Sequence, residues 1–340
     1  MIRYLEEQEK QNIRELYEQC FPEDTKAYTD YFFNQRLKNS YVAVNEEKGQ
    51  IISGLHLIPK NAIVGKFKSR ILYIYGVCTD IVYRNKGYMK NIFAQVLEDM
   101  YQDKEPFTYI IPSNEVNADI YHSLGFSYVM DKHETKPEVH RRKPTHTLIS
   151  RKAEKSDLVR LSIFAQTYTE KYYDVTLCRD VDYFRKMMEL IEVEGGFIEI
   201  YIENKVIVGY RIWLDDEVLE EVLDESIQST MSWLEPKGKP YVMARIVNLK
   251  NLVRRMNVYG SGEALINLSD SMIQENNGLH KVSFEKGIMT IDKVKDGEQN
   301  NLPVIDLTIG ELTSHIFGYK IIEGLPKICS EYGFYINDYV

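Results

Sequence analysis

The stretch ILYIYGVCTDIVYRNKGYMKNIFAQVLEDMY, residues 71–101, narrows what this chain can fold into more than any other. An apolar strand, starting near Arg70, stops at Thr79, and a short basic loop with a single glycine, Gly87, follows. Met89, Ile92, Phe93, Val96, Leu97 and Met100 then recur at the spacing of one helical face. A strand, a loop the size of a phosphate and a helix N-terminus, in that order, offer an anion unsatisfied N–H groups and the positive end of the helix dipole. Arg84, Lys86 and Lys90 add full charges beside them, so residues 84–89 are expected to form a pyrophosphate cradle.

An Arg-x-x-Gly-x-Met hexamer alone is also what an ordinary turn gives, with a left-handed glycine and solvated basic residues. A second segment makes the pattern more specific. In YIIPSNEVNADIYHSLGF (109–126) a strand ends at Pro112 and Ser113, and a short helix carries Asn114 and Tyr121 ahead of Gly125-Phe126. Together the two segments resemble the GNAT superfamily of acyl-CoA-dependent N-acetyltransferases, with its (Gln/Arg)-x-x-Gly-x-(Gly/Ala) loop and its Asn-x6-Tyr-x3-Gly-Phe segment. Met89 departs from that pattern, standing where most members carry Gly or Ala.

The C-terminal half, with MARIVNLKNLVRRM (243–256), INLSDSMIQENNGLHKVSFEKG (266–287) and DLTIGELTSHIFGYKIIEGL (306–325), resembles the sterol-carrier-protein-like domain of Eis-type (enhanced intracellular survival) acetyltransferases. The resemblance then covers nearly the whole chain and implies an α/β (α+β) architecture. A GNAT catalytic domain, a mixed sheet with flanking helices, is expected over 1–147. A second, truncated GNAT-like region is expected over 148–238 and the carrier-like domain over 239–340. Because the second region has no Arg-x-x-Gly loop of its own, no cofactor is assigned to it.

The resemblance also implies acetyl-CoA as co-substrate, no metal, a primary-amine acceptor and assembly into homo-oligomers, hexamers in particular. Arg84, Asn85, Lys86, Gly87, Tyr88 and Met89 would hold the pyrophosphate, mainly through main-chain amides, and Asn114 would join the cofactor site. Val77, Cys78 and Thr79 would lie along the pantetheine, with the Val77 N–H as oxyanion donor, a contribution of roughly 2.7–4 kcal/mol in other enzymes. Tyr121 would be the general acid, since a phenol with a pKa of about 10 keeps its proton at neutral pH. The alternative is that Tyr121, one of 25 tyrosines, only packs beside Phe126. The base implied is the C-terminal carboxylate, at Val340. The ending YGFYINDYV is apolar and aromatic, as a buried tail should be, and Asp338 could instead orient a cation.

A net charge of −9 and the lack of a basic patch argue against nucleic acid as a partner. The acidity would draw in cationic acceptors such as polyamines, aminoglycosides or lysine-rich tails, or would only keep the protein soluble. No apolar run approaches the ~20 residues of a membrane helix. The charged start MIRYLEEQEKQN lacks a signal-peptide core, so a cytoplasmic enzyme is expected. Cys20, Cys78, Cys178 and Cys329 are scattered without a Cys-x-x-Cys pair, which fits reduced thiols and no structural zinc. Cys78 reads as a small buried residue, because no histidine has the spacing to activate it. His133, His140 and His146 lack metal-ligand spacing, and His140-Arg141-Arg142-Lys143 reads as a solvated boundary run.

For secondary structure, the pattern gives a helix near 6–20, two strands around a polar turn at Glu46–Gln50, and a helix over 88–101. A strand at 107–112 and the Tyr121 helix complete the first unit. A proline-containing boundary follows at 131–147, then helices at 156–173 and 180–193 and a hairpin around Glu203–Lys205. The function expected is direct, ternary-complex acetyl transfer to an amine of a small polycation. The alternatives are acetylation of protein lysines, or a lipid or small-molecule binding protein that uses the carrier-like domain while the GNAT unit is inert.

Overall fold

A computed structural model describes residues 1–132, 148–225, 227, 238–295, 302–329 and 333–338. The chain opens with edge strand β1 (Ile2–Tyr4), a 3-10 turn over Glu7–Ile13 and helix α1 (Arg14–Cys20), which buries Leu16 and Tyr17. Helix α2 (Lys26–Gln35) follows, its N-terminus capped by the Thr25 side chain, which accepts from the Tyr28 N–H. The sequence reading has no helix here. Aromatic residues are weak helix formers, and α2 is held instead by burying Tyr28, Thr29, Phe32 and Phe33 on one face.

Strands β2 (Tyr41–Glu47), β3 (Gln50–Val64) and β4 (Phe67–Thr79) form an antiparallel meander. Its first turn is made by the left-handed pair Lys48 and Gly49. Helix α3 (Tyr88–Gln102), strand β5 (Phe107–Ile110), helix α4 (Glu115–Ser123) and strand β6 (Ser127–Lys132) complete the N-terminal segment. The apolar stripe read from the sequence packs α3 onto the sheet: Ile92, Phe93, Val96, Leu97 and Met100 are buried, and Met89 is packed at the margin.

The next region carries β7 (Ile149–Lys152), α5 (Leu158–Tyr172), β8 (Val175–Leu177), α6 (Val181–Val193), β9 (Phe197–Glu203), β10 (Val206–Leu214) and β11 (Glu217–Leu223). Four of its strands form a sheet in the order β11-β10-β9-β7, with α5 and α6 burying apolar faces against it. The last region carries β12 (Lys239–Ile246), α7 (Leu249–Val253), β13 (Gly262–Ser269), β14 (Gly278–Glu285), β15 (Ile288–Lys293), β16 (Val304–Thr308), α8 (Ile309–Ile316) and β17 (Phe334–Tyr335). A second four-stranded sheet, β15-β14-β13-β16, belongs to it.

The regions are joined through the first sheet. Its strand order is β1-β2-β3-β4-β5-β12-β6, so β12 from beyond residue 238 sits antiparallel between β5 and β6. The segment expected to open the third region thus completes the N-terminal layer. Arg245 on β12 fixes the join: fully buried, it donates to the Leu124 and Ile246 carbonyls and to the Asp270 carboxylate. At the far end of β3, Ala62–Val64 pair with β8, and β17 of the C-terminal tail runs parallel to β8. The boundary residues 133–147, including His133, His140, His146 and the Arg141–Lys143 run, and the terminal Val340 lie outside the described residues. Among the described residues no helix is long and apolar enough to cross a membrane.

Candidate active site

β4 and β5 pair in parallel only at Leu72 with Thr108 and at Tyr73 with Tyr109. From Ile74 to Thr79, β4 keeps β3 on one side and has no strand partner on the other among the described residues, so β4 and β5 open into a cleft. A bulge lies within this free stretch: on β3 the register steps from Gly54 to His56, while β4 steps from Cys78 to Tyr75. The extra residue falls at Gly76-Val77, which re-aims the main chain there. Gly76 has φ +57°, and a Cβ on it would come within 2.7 Å of His56 Nδ1 and 3.0 Å of Tyr17 Cε2. Only glycine meets both demands.

The sequence-predicted residues gather on this cleft. Val77 packs toward the cluster that holds Tyr121, whereas Cys78 packs on the opposite face of the sheet with the α1 and α2 side chains. The Thr79 hydroxyl hydrogen-bonds Ser53 at 2.7 Å. After Thr79, Asp80 caps a 3-10 turn over Ile81–Tyr83, Asn85 is left-handed (φ 60°), and Gly87 (φ 83°) is the N-cap of α3. A Cβ on Gly87 would meet nothing within 4 Å, so the space above it is open.

Among the described residues no protein acceptor takes the N–H groups of Arg84–Lys90, and Arg84, Lys86 and Lys90 form no ion pair. Arg84 Nε donates to the Thr79 carbonyl at 3.1 Å, and Lys86 Nζ sits 5.3 Å from the Tyr83 ring centroid. The Tyr88 hydroxyl donates to Glu47 at 3.2 Å. Amides without a protein acceptor at a helix N-terminus, with the cations of Arg84, Lys86 and Lys90 beside them, fit a phosphate or pyrophosphate.

Tyr121 lies on α4, buried beside Phe93 and Phe126 at ring distances of 6.0 and 6.1 Å. Burial pushes its phenol up to about 12, and its hydroxyl has no hydrogen-bond partner among the described residues. Such a phenol stays protonated at neutral pH with its O–H uncommitted. Asn114, exposed, caps α4 by accepting from the Asn117 N–H at 2.9 Å, so a structural duty accounts for part of its motif position. Gly125 is left-handed (φ 85°), and a Cβ there would reach Ile309 Cγ2 at 2.7 Å, so the Gly-Phe pair serves the docking of α8.

The opposite face of the cleft carries groups that the sequence reading, apart from Asp338, missed. The Tyr75 hydroxyl lies 2.8 Å from both the Tyr17 and Tyr28 hydroxyls, and Tyr17 donates to Asp24 at 2.5 Å. Burial raises the Asp24 carboxyl above its ordinary range. One pleat further along, the Tyr73 and Tyr109 rings stack at 4.6 Å, and the Tyr109 hydroxyl donates to Asp338 at 2.7 Å. Asp338 also pairs with Lys60 Nζ at 2.6 Å, and burial brings the Lys60 ammonium down to about 8. A cavity of about 460 Å³ opens beside this pair, lined by Tyr31, Arg36, Lys60, Tyr183, Glu189 and Asp338 among others. These groups come from distant parts of the chain without a local motif, so only their residue types were visible in the sequence.

Comparison with known proteins agrees with this geometry. Residues 1–129 match the family model described as acetyltransferase (GNAT) domain. No curated protein matches the chain. A conserved Enterococcus faecalis V583 protein described as a probable N-acyltransferase superposes with a TM-score of 0.75 at 14% identity, over 94% of this chain and 90% of its own. A GCN5-related N-acetyltransferase from Anabaena variabilis gives 0.72 at 15% identity over 100% of both chains. Eis1 from Mycobacterium abscessus gives 0.66 at 12% identity, over 92% of this chain and 88% of its own. At these identities the superpositions establish a shared fold.

Proposed function

With residues 1–129 a GNAT acetyltransferase domain and the chain accordingly an acyltransferase, we propose that it transfers acetyl from acetyl-CoA directly to a primary amine. What supports this most is one arrangement: a bulged strand, free on one edge from Ile74 to Thr79, flanked by unpaired amides at Arg84–Lys90 and by an uncommitted buried phenol. The diphosphate would rest on the amides from Arg84 to Met89, and the pantetheine would run along Val77, Cys78 and Thr79. Attack by the neutral amine on the thioester carbonyl places charge on oxygen, where the Val77 N–H would donate. As the C–S bond breaks, Tyr121 would protonate the departing thiolate.

The acceptor in this reading is a small polycationic amine, drawn by the net charge of −9 and entering from the face of Tyr75, Asp24 and Asp338. The proton released by the amine would pass to a carboxylate of the C-terminal tail, with the terminal carboxylate at Val340 as base and Asp338 orienting the cation. The C-terminal sheet β15-β14-β13-β16 would be the carrier-like unit of an Eis-type chain, serving to seat that tail.

The test is release of free coenzyme A thiol from acetyl-CoA over a panel of polyamines, aminoglycosides and lysine peptides, with Tyr121→Phe in parallel. Turnover on one amine class, with kcat lowered about a hundredfold or more in the variant and acetyl-CoA affinity retained, is expected. Turnover confined to peptides would move the acceptor class to protein lysines. Failure of the protein to bind acetyl-CoA would overturn the proposal.

A further inference from the structure

Three phenols from three elements meet on the face of the cleft covered by α1 and α2. Tyr75 is half-buried on the stretch of β4 that lacks a second strand partner among the described residues, two positions before Val77. Its hydroxyl lies 2.8 Å from those of Tyr17 on α1 and Tyr28 on α2, both of which are buried. A phenol has one hydrogen to give, so the direction of each bond follows by counting. Tyr17 gives its hydrogen to the Asp24 carboxylate at 2.5 Å; Tyr75 must then be the donor to Tyr17, and Tyr28 the donor to Tyr75. All three O–H bonds point toward Asp24, and one lone pair of the Tyr75 oxygen remains for a donor that enters the cleft.

The far end of this chain is suited to receive a proton. Asp24 is half-buried and so meets solvent, and among the described residues no cation pairs with it. Burial raises its carboxyl above the ordinary range against the Tyr17 hydrogen bond, and Glu23 beside it and Glu194, the C-cap of α6, push the same way. Burial also keeps the three phenols protonated, with Tyr75 raised to about 12, so each can hand on a hydrogen without first ionising. On the Tyr75 side the charged and titratable neighbours are Arg36, at the C-cap of α2, the Tyr73 phenol, and the His56 ring, which burial holds neutral at pH 7.

We propose that Tyr75, Tyr17 and Asp24 form a proton exit that neutralises an incoming ammonium before it attacks. The proposal rests on the acetyl-transfer reading above, which begins from a neutral amine. A primary amine with a pKa of about 10 arrives at pH 7 almost wholly as ammonium. An ammonium that becomes an amide loses two protons. One is released once the nitrogen has attacked, and it balances the proton that ends on the coenzyme A thiol. The other must leave first. The ammonium N–H donates to the open lone pair of the Tyr75 oxygen, Tyr75 passes its own hydrogen to Tyr17, and Tyr17 passes its hydrogen to the Asp24 carboxylate. Each O–H bond that breaks is replaced by one that forms, and the amine is left neutral. Asp24 then gives the proton to water, and the hydroxyls rotate back. Tyr28 holds Tyr75 in the direction of the transfer and takes no part in it.

The experiment measures kcat/KM between pH 6 and pH 9 for the amine of the panel above that turns over fastest, in the full-length parent, in Asp24→Asn and in Tyr17→Phe, with acetyl-CoA binding followed by calorimetry. The amide in Asp24→Asn still accepts from Tyr17 but takes up no proton, so the hydrogen bond is kept while the exit is closed. At pH 7 each variant should lose about a hundredfold or more in kcat/KM with acetyl-CoA affinity unchanged. It should then recover by about tenfold per pH unit, as the acceptor loses its proton in solution, while the parent stays level. A loss of the same size at every pH is what a mere tie between α1, α2 and β4 gives, and it overturns the proposal. Full activity in Asp24→Asn overturns it as well. Should one variant fail to fold, the other decides by the same slope. A parent that turns over no amine at any pH overturns the acetyl-transfer reading and the exit with it, whereas parallel profiles in an active parent overturn the exit alone.

Discussion

The Asp338 carboxylate accepts a hydrogen bond from the Tyr109 hydroxyl at 2.7 Å, across 229 positions of sequence. Tyr109 is the last β5 residue paired with β4 before the strands part, so the C-terminal tail is tied to the point where the cleft begins. Lys60 on β3 reaches the same carboxylate at 2.6 Å and lies 5.8 Å from the Tyr73 ring centroid. One acidic side chain thus links two strands of the first sheet, β3 and β5, to the C-terminal tail.

Removing that carboxylate should therefore affect stability and the acceptor side together. Asp338→Asn leaves the mostly buried Lys60 ammonium without its counter-charge, and breaking such a pair commonly costs about 3–5 kcal/mol. Urea denaturation should show a loss of that order, and the acceptor KM should rise while acetyl-CoA affinity stays. Replacing both members, Lys60→Met with Asp338→Leu, should regain most of the stability without regaining acceptor binding. A single variant as stable as the parent would mean that water already screens the pair.

Gly87 separates backbone shape from charge at the cradle. Its φ of +83° strains any other residue, whereas the empty space around it tolerates a side chain. Gly87→Ala should lose roughly 1–2 kcal/mol of stability from the left-handed conformation alone and weaken acetyl-CoA binding modestly. Gly87→Glu places a carboxylate where a pyrophosphate would rest and should weaken binding well beyond the Ala variant. The excess should shrink as salt is raised, because screening acts on the charge and not on the strain. Equal affinities for the two variants would show that no anion sits over Gly87.

The parts of this architecture that were legible in sequence are those coded by neighbouring residues. The helical stripe from Met89 to Met100 and the glycine that begins it are local patterns, and α3 follows them. The Gly76 bulge carried a partial signal, a glycine inside an otherwise apolar strand, which marks a bulge or a close approach. The pairing of β12 between β5 and β6 has no local signature, because any apolar strand satisfies the same ladder. A hint was present in Arg245, a charge inside the run YVMARIV, which a strand buried on both sides tolerates only with a partner such as Asp270. Helix α2 was missed because its stability comes from the Thr25 cap and from packing its aromatic face, neither of which a propensity-weighted reading credits. The meeting of Lys60 with Asp338 depends on long-range register, which residue types do not reveal.

His56 gives the first sheet a pH dependence of its own. The ring is fully buried against Tyr17, Phe32, Phe33 and Tyr75, and neither nitrogen has a partner of good geometry among the described residues. Burial lowers its pKa from 6.5 to about 4, opposed only weakly by the backbone of Tyr75 and Gly76. Between those two values the unfolded chain binds more protons at this position than the folded one, so stability falls as pH drops from 6.5 toward 4 and is unaffected by this group above that window. At about 1.4 kcal/mol per pH unit, the loss by pH 5 is roughly 2 kcal/mol. His56→Leu, of similar volume and without a proton to take up, should lose that share of the slope, so the difference between the two proteins in urea denaturation at pH 7, 6 and 5 isolates the contribution of His56. Parallel slopes would mean that the native ring titrates near its unfolded value, with a partner near Gly76 offsetting the effect of burial.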